Sequence, residues 1–530
     1  MKKHALLSNK TYLYLTEFFS GMGVMAVELA ASRLIAPYFS SSQIVWTIII
    51  ATIMIAMALG NIWGGRQADR DPDPDRLYRR ILVAAIWIAA IPVVGRYVIL
   101  GVSALLILAV DTNYLIWAAL VTCLLVFVYP LFLLGTVTPS LVKYSVGNLA
   151  DTGTVVGRLG AYNTIGSILG TFLPTFVTIP AVGTAATFLI FSGVLLALAA
   201  AYFFSERRHV VLTAVLIAVY LACAILGSGG KVAFWQGKLA YEGESVYNYL
   251  QVTDDDDSTV LSTNVLFGVQ SIRIKTGGLT GMYYDYALAA PALAGVADAP
   301  GRLLVLGMGT GTYATQCQQY FPQLTATGVE IDDKITDLAH RYFALDPGIK
   351  VYTYDGRAFL QADKGRYDVI MVDAYRDITI PFQMSTVEFF RLVADHLTAG
   401  GVMVMNMNMY TDAPDSINDY LSDTVAAVFP YVYTVDVAGS TNRELFATAD
   451  GQAAAAMAGR LDQVSDAALR RFLSGVAPQL QAYRPGSLVM TDDKAPVELL
   501  GMKVIDGMIS NELVYYRRRF WENGFSGLLG

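Results

Sequence analysis

The chain is predicted to be a polytopic α-helical membrane domain of about seven spans joined to an α/β domain, with a small β-strand subdomain between them. Three observations carry this. Of 530 residues, 55% are hydrophobic and only 15% charged, whereas soluble domains carry about 25% charged residues. The charge is divided: residues 1–230 hold 14 Lys and Arg against 9 Asp and Glu, and the remainder holds 23 against 35. Finally, strands and helices alternate after residue 300, beginning with a glycine turn in "RLLVLGMGTGTYATQ". The expected division is 1–230 for the membrane helices, 231–300 for the β subdomain and 301–530 for the α/β domain.

A bilayer core of roughly 30 Å takes about 20 apolar residues per helix. Runs of that kind fall at 12–37, 44–63, 80–103, 114–138, 158–180, 184–204 and 209–228. The first is too long, and too well followed by others, for a cleaved signal peptide. The stretch 80–110 has room for a re-entrant turn near Gly95-Arg96, which would make eight. The chain is therefore expected to be a multi-pass cell-membrane protein in contact with the lipid bilayer. With seven spans and an inner N-terminus, the basic residues of the segments around 66–80, 143, 158 and 207–208 lie inside, as the positive-inside rule requires. The soluble part then lies outside; eight spans return it to the cytoplasm. Glu28 and Arg33 within the first span are expensive in lipid; they pair, meet partners on other helices, or mark a pathway. "GNIWGGRQADR" resembles the basic loop between paired helices of major-facilitator transporters, and "GAYNTIGSILG" suits close helix packing.

Beyond 229 the pattern shifts to short strands, with "DDDD" (Asp254–Asp257) as an exposed hairpin tip. Strands are expected at 302–306, 324–330, 349–353, 367–373, 401–407 and 431–437, with helices between them. Such alternation predicts a doubly wound parallel sheet whose ligands lie at the C-terminal strand ends. Gly307, Gly309 and Gly311 follow the first strand and allow close backbone approach to a ligand at a helix N-terminus. Glu330 ends the second strand, where a carboxylate can bridge two ribose hydroxyls, or cap the next helix. Asp355 and Gly356 follow the third, placed for an adenine amino group or for an ordinary turn. All three features in order, at successive strand ends, point to an adenosyl ligand. Cys123, Cys223 and Cys317 are too few and scattered for a disulfide framework or a metal site, so no metal is expected.

The motifs "GESVYNYLQV", "GMYYDYALAAPAL", "VLGMGTGT", "GVEIDD", "YDGRAFL" and "YDVIMVDAY" occur in the order found in spermidine synthases, the polyamine aminopropyltransferases. The resemblance covers about residues 241–450, and "TDDKAPVE" (Thr491–Glu498) with the apolar half resembles membrane-fused spermidine synthase-like proteins. It implies a Rossmann-like domain of the class I methyltransferase/spermidine synthase type. It also implies decarboxylated S-adenosylmethionine, or S-adenosylmethionine itself, as co-substrate. Asp373 matches the family's general base and Tyr283 the tyrosine beside the amine. Tyr284, Asp285, Tyr375 and Arg376 fall on substrate-binding positions, and Asn248 and Gln270 on positions touching the adenosyl ligand. There are departures. The acid of the family's glycine loop is Thr310 here, the second acid of D-x-x-D is Arg376 with Asp377 one step later, and "DVAGSTNRELFA" lacks the family's substrate loop.

Aminopropyl transfer needs a carboxylate to hold an incoming ammonium and take its proton, with aromatic rings lining the slot. An arginine in that slot opposes a dication or pairs with a carboxylate of the donor or acceptor. Three functions therefore stand open. One is a membrane-bound aminopropyltransferase acting on a putrescine- or spermidine-like amine. Another is an S-adenosylmethionine-dependent methyltransferase-type enzyme with a membrane acceptor. The third is a non-catalytic polyamine or nucleoside sensor or transporter module. A homodimer is among the expected partners, and nucleic acid is not.

Overall fold

The computed structural model describes residues 9–146, 152–228, 238–264, 268–375, 379–408, 410–411 and 413–524. The first half is helical: α1 (Lys10–Phe39), α2 (Gln43–Arg70), α3 (Pro74–Ala109), α4 (Tyr114–Val126), α5 (Val128–Gly135), α6 (Val137–Ser145), α7 (Thr152–Leu173), α8 (Ile179–Glu206) and α9 (Val210–Ser228). Among the described residues five helical segments are long and apolar enough to cross a membrane, or six if α4 and the α5–α6 segment, bent by 50°, form one. One of the five is Thr152–Glu206, which joins α7 to α8 through a π-helical turn. At 55 residues a straight helix would run about 80 Å, far beyond the bilayer core. It breaks at Gly183, whose φ of +83° suits glycine, and α8 folds back beside α3 and α1. The stretch 80–110 has room for a re-entrant turn near Gly95-Arg96, but α3 continues through it as one helix.

Small residues let the helices close on one another. A β-carbon on Gly166 or Gly170 would strike the backbone of Phe18 or Met22 in α1, and one on Gly60 or Gly64 the backbone of Phe132 or Thr136. Most basic residues of the helices gather at one end of the bundle, where Arg208 pairs with Asp75 at 2.7 Å and Lys143 with Asp69 at 2.8 Å, while Arg33 and Arg96 lie toward the other end, near Val246 and Tyr38. The other end carries the second half of the chain.

That half begins with a four-stranded antiparallel meander, β1 (Leu239–Glu244), β2 (Tyr249–Asp254), β3 (Ser258–Thr263) and β4 (Ser271–Ile274). The acidic run turns between β2 and β3, with Asp255 N–H bonded to Ser258 O at 2.8 Å. Next come α10 (Tyr283–Ala287), α11 (Ala289–Leu293), β5 (Gly301–Leu306), α12 (Thr312–Tyr320), β6 (Leu324–Glu330), α13 (Asp333–Tyr342), β7 (Lys350–Thr353), α14 (Gly356–Ala362), β8 (Tyr367–Val372), α15 (Val387–Asp395) and β9 (Leu397–Met407). The chain closes with α16 (Ile417–Ala426), β10 (Tyr431–Asp436), β11 (Arg443–Thr448), α17 (Ala453–Leu461), α18 (Ala467–Val476), β12 (Gln481–Ala482) and α19 (Val497–Asn523).

The large sheet has the order β12-β10-β11-β9-β8-β5-β6-β7. It is parallel from β9 to β7, as expected, but β11 runs antiparallel to both β9 and β10. An all-parallel sheet is thus corrected to a mixed one. The link between β10 and β11 spans only 437–442, too short for the crossover that parallel strands require. Leu304, Val305, Val369, Ile370, Met403 and Val404 are buried on the two faces of the central strands, which explains their nearly continuous apolar runs.

Several contacts seat this domain on the helices. Thr184 donates to Glu244 through its hydroxyl (2.6 Å) and its N–H (3.1 Å). Arg33 donates to the Val246 carbonyl. Asp506 of α19 accepts from Tyr114 N–H at 3.3 Å, and Arg517 caps the end of α3 at Ile107 O. Arg33, expected to pair within its span or with other helices, thus reaches the β1–β2 turn.

Candidate active site

A cavity of about 540 Å³ opens at the C-terminal ends of β5, β6, β7 and β8. Gly307 and Gly309 form its floor, both with positive φ (78° and 57°). A β-carbon at Gly307 would come within 2.7 Å of the Asp373 carbonyl, and one at Gly309 within 2.5 Å of Ser271 Oγ. Gly311 instead caps α12 and packs against Leu345, away from the cavity lining.

Glu330 is buried at the end of β6. Its Oε2 accepts Gly309 N–H at 2.8 Å and its Oε1 accepts Asp332 N–H at 3.1 Å. Burial pushes its pKa up to about 7, against the lowering effect of those N–H groups. Capping of α13 falls to Asp332, which accepts Lys334 N–H, so Glu330 is left facing the cavity. Asp355 caps α14 through Ala358 N–H at 2.9 Å and lines the cavity with Gly356. Asn248 lines it too, held by Asp332 (2.9 Å) and Asn264 (2.8 Å). Gln270 is also at the wall, and its carbonyl accepts the Tyr284 hydroxyl at 2.9 Å.

Asp373 follows β8. Tyr283 donates to its Oδ2 at 2.6 Å and Asn406 Nδ2 to its Oδ1 at 3.0 Å. Burial raises its pKa to about 7, with these two donors opposing the rise. Burial and the neighbouring carboxylate push the Tyr283 phenol well above its ordinary value, so it stays a donor. Tyr283 and Tyr284 rings lie 4.0 Å apart. Tyr375 lines the cavity and donates to the Asn406 carbonyl. Asp285, expected at the substrate, is corrected to a structural clamp. Its oxygens are taken by Thr280 N–H and Oγ1 (both 2.9 Å), Gly281 N–H (2.7 Å) and Gln316 Nε2 (2.9 Å). Arg376 and Asp377 lie outside the described residues.

Two parts of the site escaped the sequence. Asn442 Nδ2 donates to Asn406 Oδ1 at 2.8 Å, completing a relay to Asp373; a lone asparagine in the apolar run "GVMVMNM" was the available signal. The second is the roof. Ser32, Arg33 and Ala36 of α1, Ser41 of the turn, and Gln43 and Trp46 of α2 line the same cavity as Glu330 and Asp373. Trp46→Ala in the full chain should weaken adenosyl-ligand binding about 5–20-fold, the loss expected for one aromatic wall. Calorimetric affinity unchanged within twofold would remove this roof from the site. The C-terminal "TDDKAPVE" closes one side, since Arg357 of α14 grips Asp492 at 2.7 and 2.6 Å and Glu498 reaches the cavity.

Residues 290–441 match the family model of the spermine/spermidine synthase domain. A spermidine synthase solved with the transition-state analogue AdoDATO aligns over 52% of this chain and 88% of its own, at 15% identity and a TM-score of 0.35. The polyamine aminopropyltransferase of Vibrio vulnificus is 27% identical over 224 residues, 41% of this chain and 73% of its own length. A probable polyamine aminopropyl transferase of Bifidobacterium longum is 51% identical over 345 residues, 62% of this chain and 77% of the relative. With half the positions identical over more than three quarters of that relative, this chain belongs to the polyamine aminopropyltransferase family and is an enzyme of that type.

Proposed function

We propose that the protein is a membrane-embedded aminopropyltransferase that moves the aminopropyl group of decarboxylated S-adenosylmethionine to an amine. The observation that carries this is Asp373, a buried carboxyl with pKa near 7, oriented by Tyr283 and sharing one cavity with Glu330. In this reading Glu330 holds the ribose hydroxyls, Asp355 and Gly356 meet the adenine, and the glycine turn approaches the nucleoside. Gln270 and Asn248 border the ligand, and Tyr284 and Tyr375 wall the amine slot. The acceptor ammonium gives its proton to Asp373. Its nitrogen lone pair then attacks the methylene carbon beside the sulfonium, forming C–N as C–S breaks, and the C–S electron pair leaves with sulfur as a neutral thioether.

The test uses the full chain in detergent with decarboxylated and ordinary donors, a panel of amines, and mass spectrometry of products. Aminopropylated amine from the decarboxylated donor is the expected result. Methylated product from the ordinary donor would overturn it in favour of a methyltransferase.

Seven crossings are part of the proposal, with residues 1–230 in the membrane and 231–300 and 301–530 forming the enzyme. The breaks at Gly183 and between α4 and α5 support that count. The enzyme stands at the bundle end opposite the arginine-rich segments, so the positive-inside rule puts it on the outer face. A cysteine at Asp73 should resist labelling from outside in intact cells, and one at Asp256 should label. The reverse pattern would invert the orientation.

A further inference from the structure

Glu17 of α1 is a carboxyl set among the membrane helices, and it is 0% exposed. Its Oε1 accepts from Thr138 Oγ1 of α6 at 2.6 Å and from Asn163 Nδ2 of α7 at 2.8 Å. Its Oε2 is buried and has no hydrogen-bond partner among the described residues. Carboxyls that only clamp the fold look different in this protein. Asp75 takes Tyr202 on one oxygen and Arg208 on the other. Asp423 takes Tyr483 and Gly486 on one and Leu488 on the other. A carboxylate inside a membrane bundle is costly unless paired, and marks a functional position by default. Joining three helices does not call for a charge either, since an amide oxygen would accept from Thr138 and Asn163 equally well. The second oxygen needs its own reason.

The surroundings supply oxygen. Ser20, about one turn along α1, is buried. At Gly21 helix α7 comes so near that a β-carbon would lie 2.5 Å from Asn163 O and 3.1 Å from Ser167 Oγ. Thr138 stands in the first turn of α6, just after the chain breaks from α5 at Thr136, whose hydroxyl turns back to Leu133 O at 2.7 Å. Interrupted helices are where membrane proteins bring polar groups to an ion. Thr138 and Asn163 are half-buried, so the site is not sealed. Glu17 lies seven residues from the start of α1, about 10 Å along the helix. We propose that Glu17, Thr138 and Asn163 form a binding site for one monovalent cation in the membrane half. Glu17 Oε2, the Thr138 hydroxyl oxygen and, once its amide turns, Asn163 Oδ1 supply the ligands. Oxygen ligands suit an alkali ion or a primary ammonium. A single carboxylate balances one positive charge, whereas divalent ions gather several, and no group of three His, Cys, Asp or Glu stands together among the described residues. The bundle then takes up an ion as well as seating the enzyme. The inference stands on the helices alone, independent of the transfer reading above.

The test follows the melting midpoint of the full chain in detergent with sodium, potassium or methylammonium chloride. Each is replaced stepwise by choline chloride, whose cation is too large for the site, at constant ionic strength. An ion that binds only the folded state raises the midpoint with its concentration, and the salt that does so identifies the ion. Glu17→Gln keeps an oxygen for Thr138 and Asn163 but loses the charge. The apparent affinity should therefore fall by about 10-fold or more, the scale of one charged contact, while the midpoint in choline alone stays close to wild type. Thr138→Val should lower the affinity by less. If Glu17→Gln does not fold, infrared difference spectra of wild type with and without the ion read the site directly. A carboxylate band that shifts with the ion, and shifts less in Thr138→Val, supports the site; no shift in wild type overturns it. The proposal also fails if no ion moves the midpoint, or if wild type and Glu17→Gln respond alike. A protonated-carboxyl band that Glu17→Gln removes and no salt alters would leave Glu17 a plain hydrogen-bonded acid, and would equally end the proposal. None of these readouts needs turnover, so the site and the aminopropyl-transfer reading stand or fall separately.

Discussion

Asp373→Asn should lower turnover by about 10²–10⁴-fold while nucleoside affinity stays within threefold of wild type, the range expected for losing a positioned base. The asparagine keeps the shape of the side chain and can still accept from Tyr283, but it cannot take a proton from the incoming ammonium. Steady-state rates with saturating amine, beside calorimetry with the thioether nucleoside, separate the two effects. Turnover equal to wild type would remove Asp373 from the chemistry. The same group sets a pH dependence. A carboxyl raised to about 7 by burial is mostly protonated, and idle as a base, at pH 6. Values of kcat should therefore climb through pH 7 and level off above it. In Asp373→Asn that rise should vanish. Glu330, also near 7, should appear instead in the pH dependence of nucleoside affinity.

Glu330→Ala should weaken the adenosyl ligand by about 1.5–3 kcal/mol, the usual worth of hydrogen bonds to a charged group. That is a 10- to 150-fold rise in Kd, with the amine side of the site untouched. Part of the loss comes from Gly309, whose N–H now donates to Glu330 and would be left without its acceptor. Glu330→Gln keeps one carbonyl oxygen for that N–H, so it should fall between alanine and wild type. If alanine and wild type titrate alike, the nucleoside does not lie against β6.

Much of this protein was legible from residue order alone. Apolar runs marked the long helices of the first half, because a helix long and apolar enough to cross a bilayer must be apolar over most of its length, whereas α6 (Val137–Ser145) lies almost wholly beyond the run 114–138. The glycine turn, Glu330, Asp355 and Asp373 were legible because each sits at the end of its own strand, where a local change from apolar to polar residues marks the boundary. What remained hidden depends on contacts between distant positions. Strand β11 gains its partners only by returning beside β9, and Glu444 and Asn406, 38 positions apart in the chain, become neighbours only in that antiparallel register. Asp285 looked like a substrate ligand until the turn at Thr280 and Gly281 folded onto it. The roof is the extreme case: Arg33 meets Val246 across 213 positions, and Trp46 joins the same cavity as Asp373. Local propensity decides strands, helices and the glycine turn. Which side chains share a cavity is decided by how the sheet seats on the helices, through packing and hydrogen bonds that no local window of sequence contains.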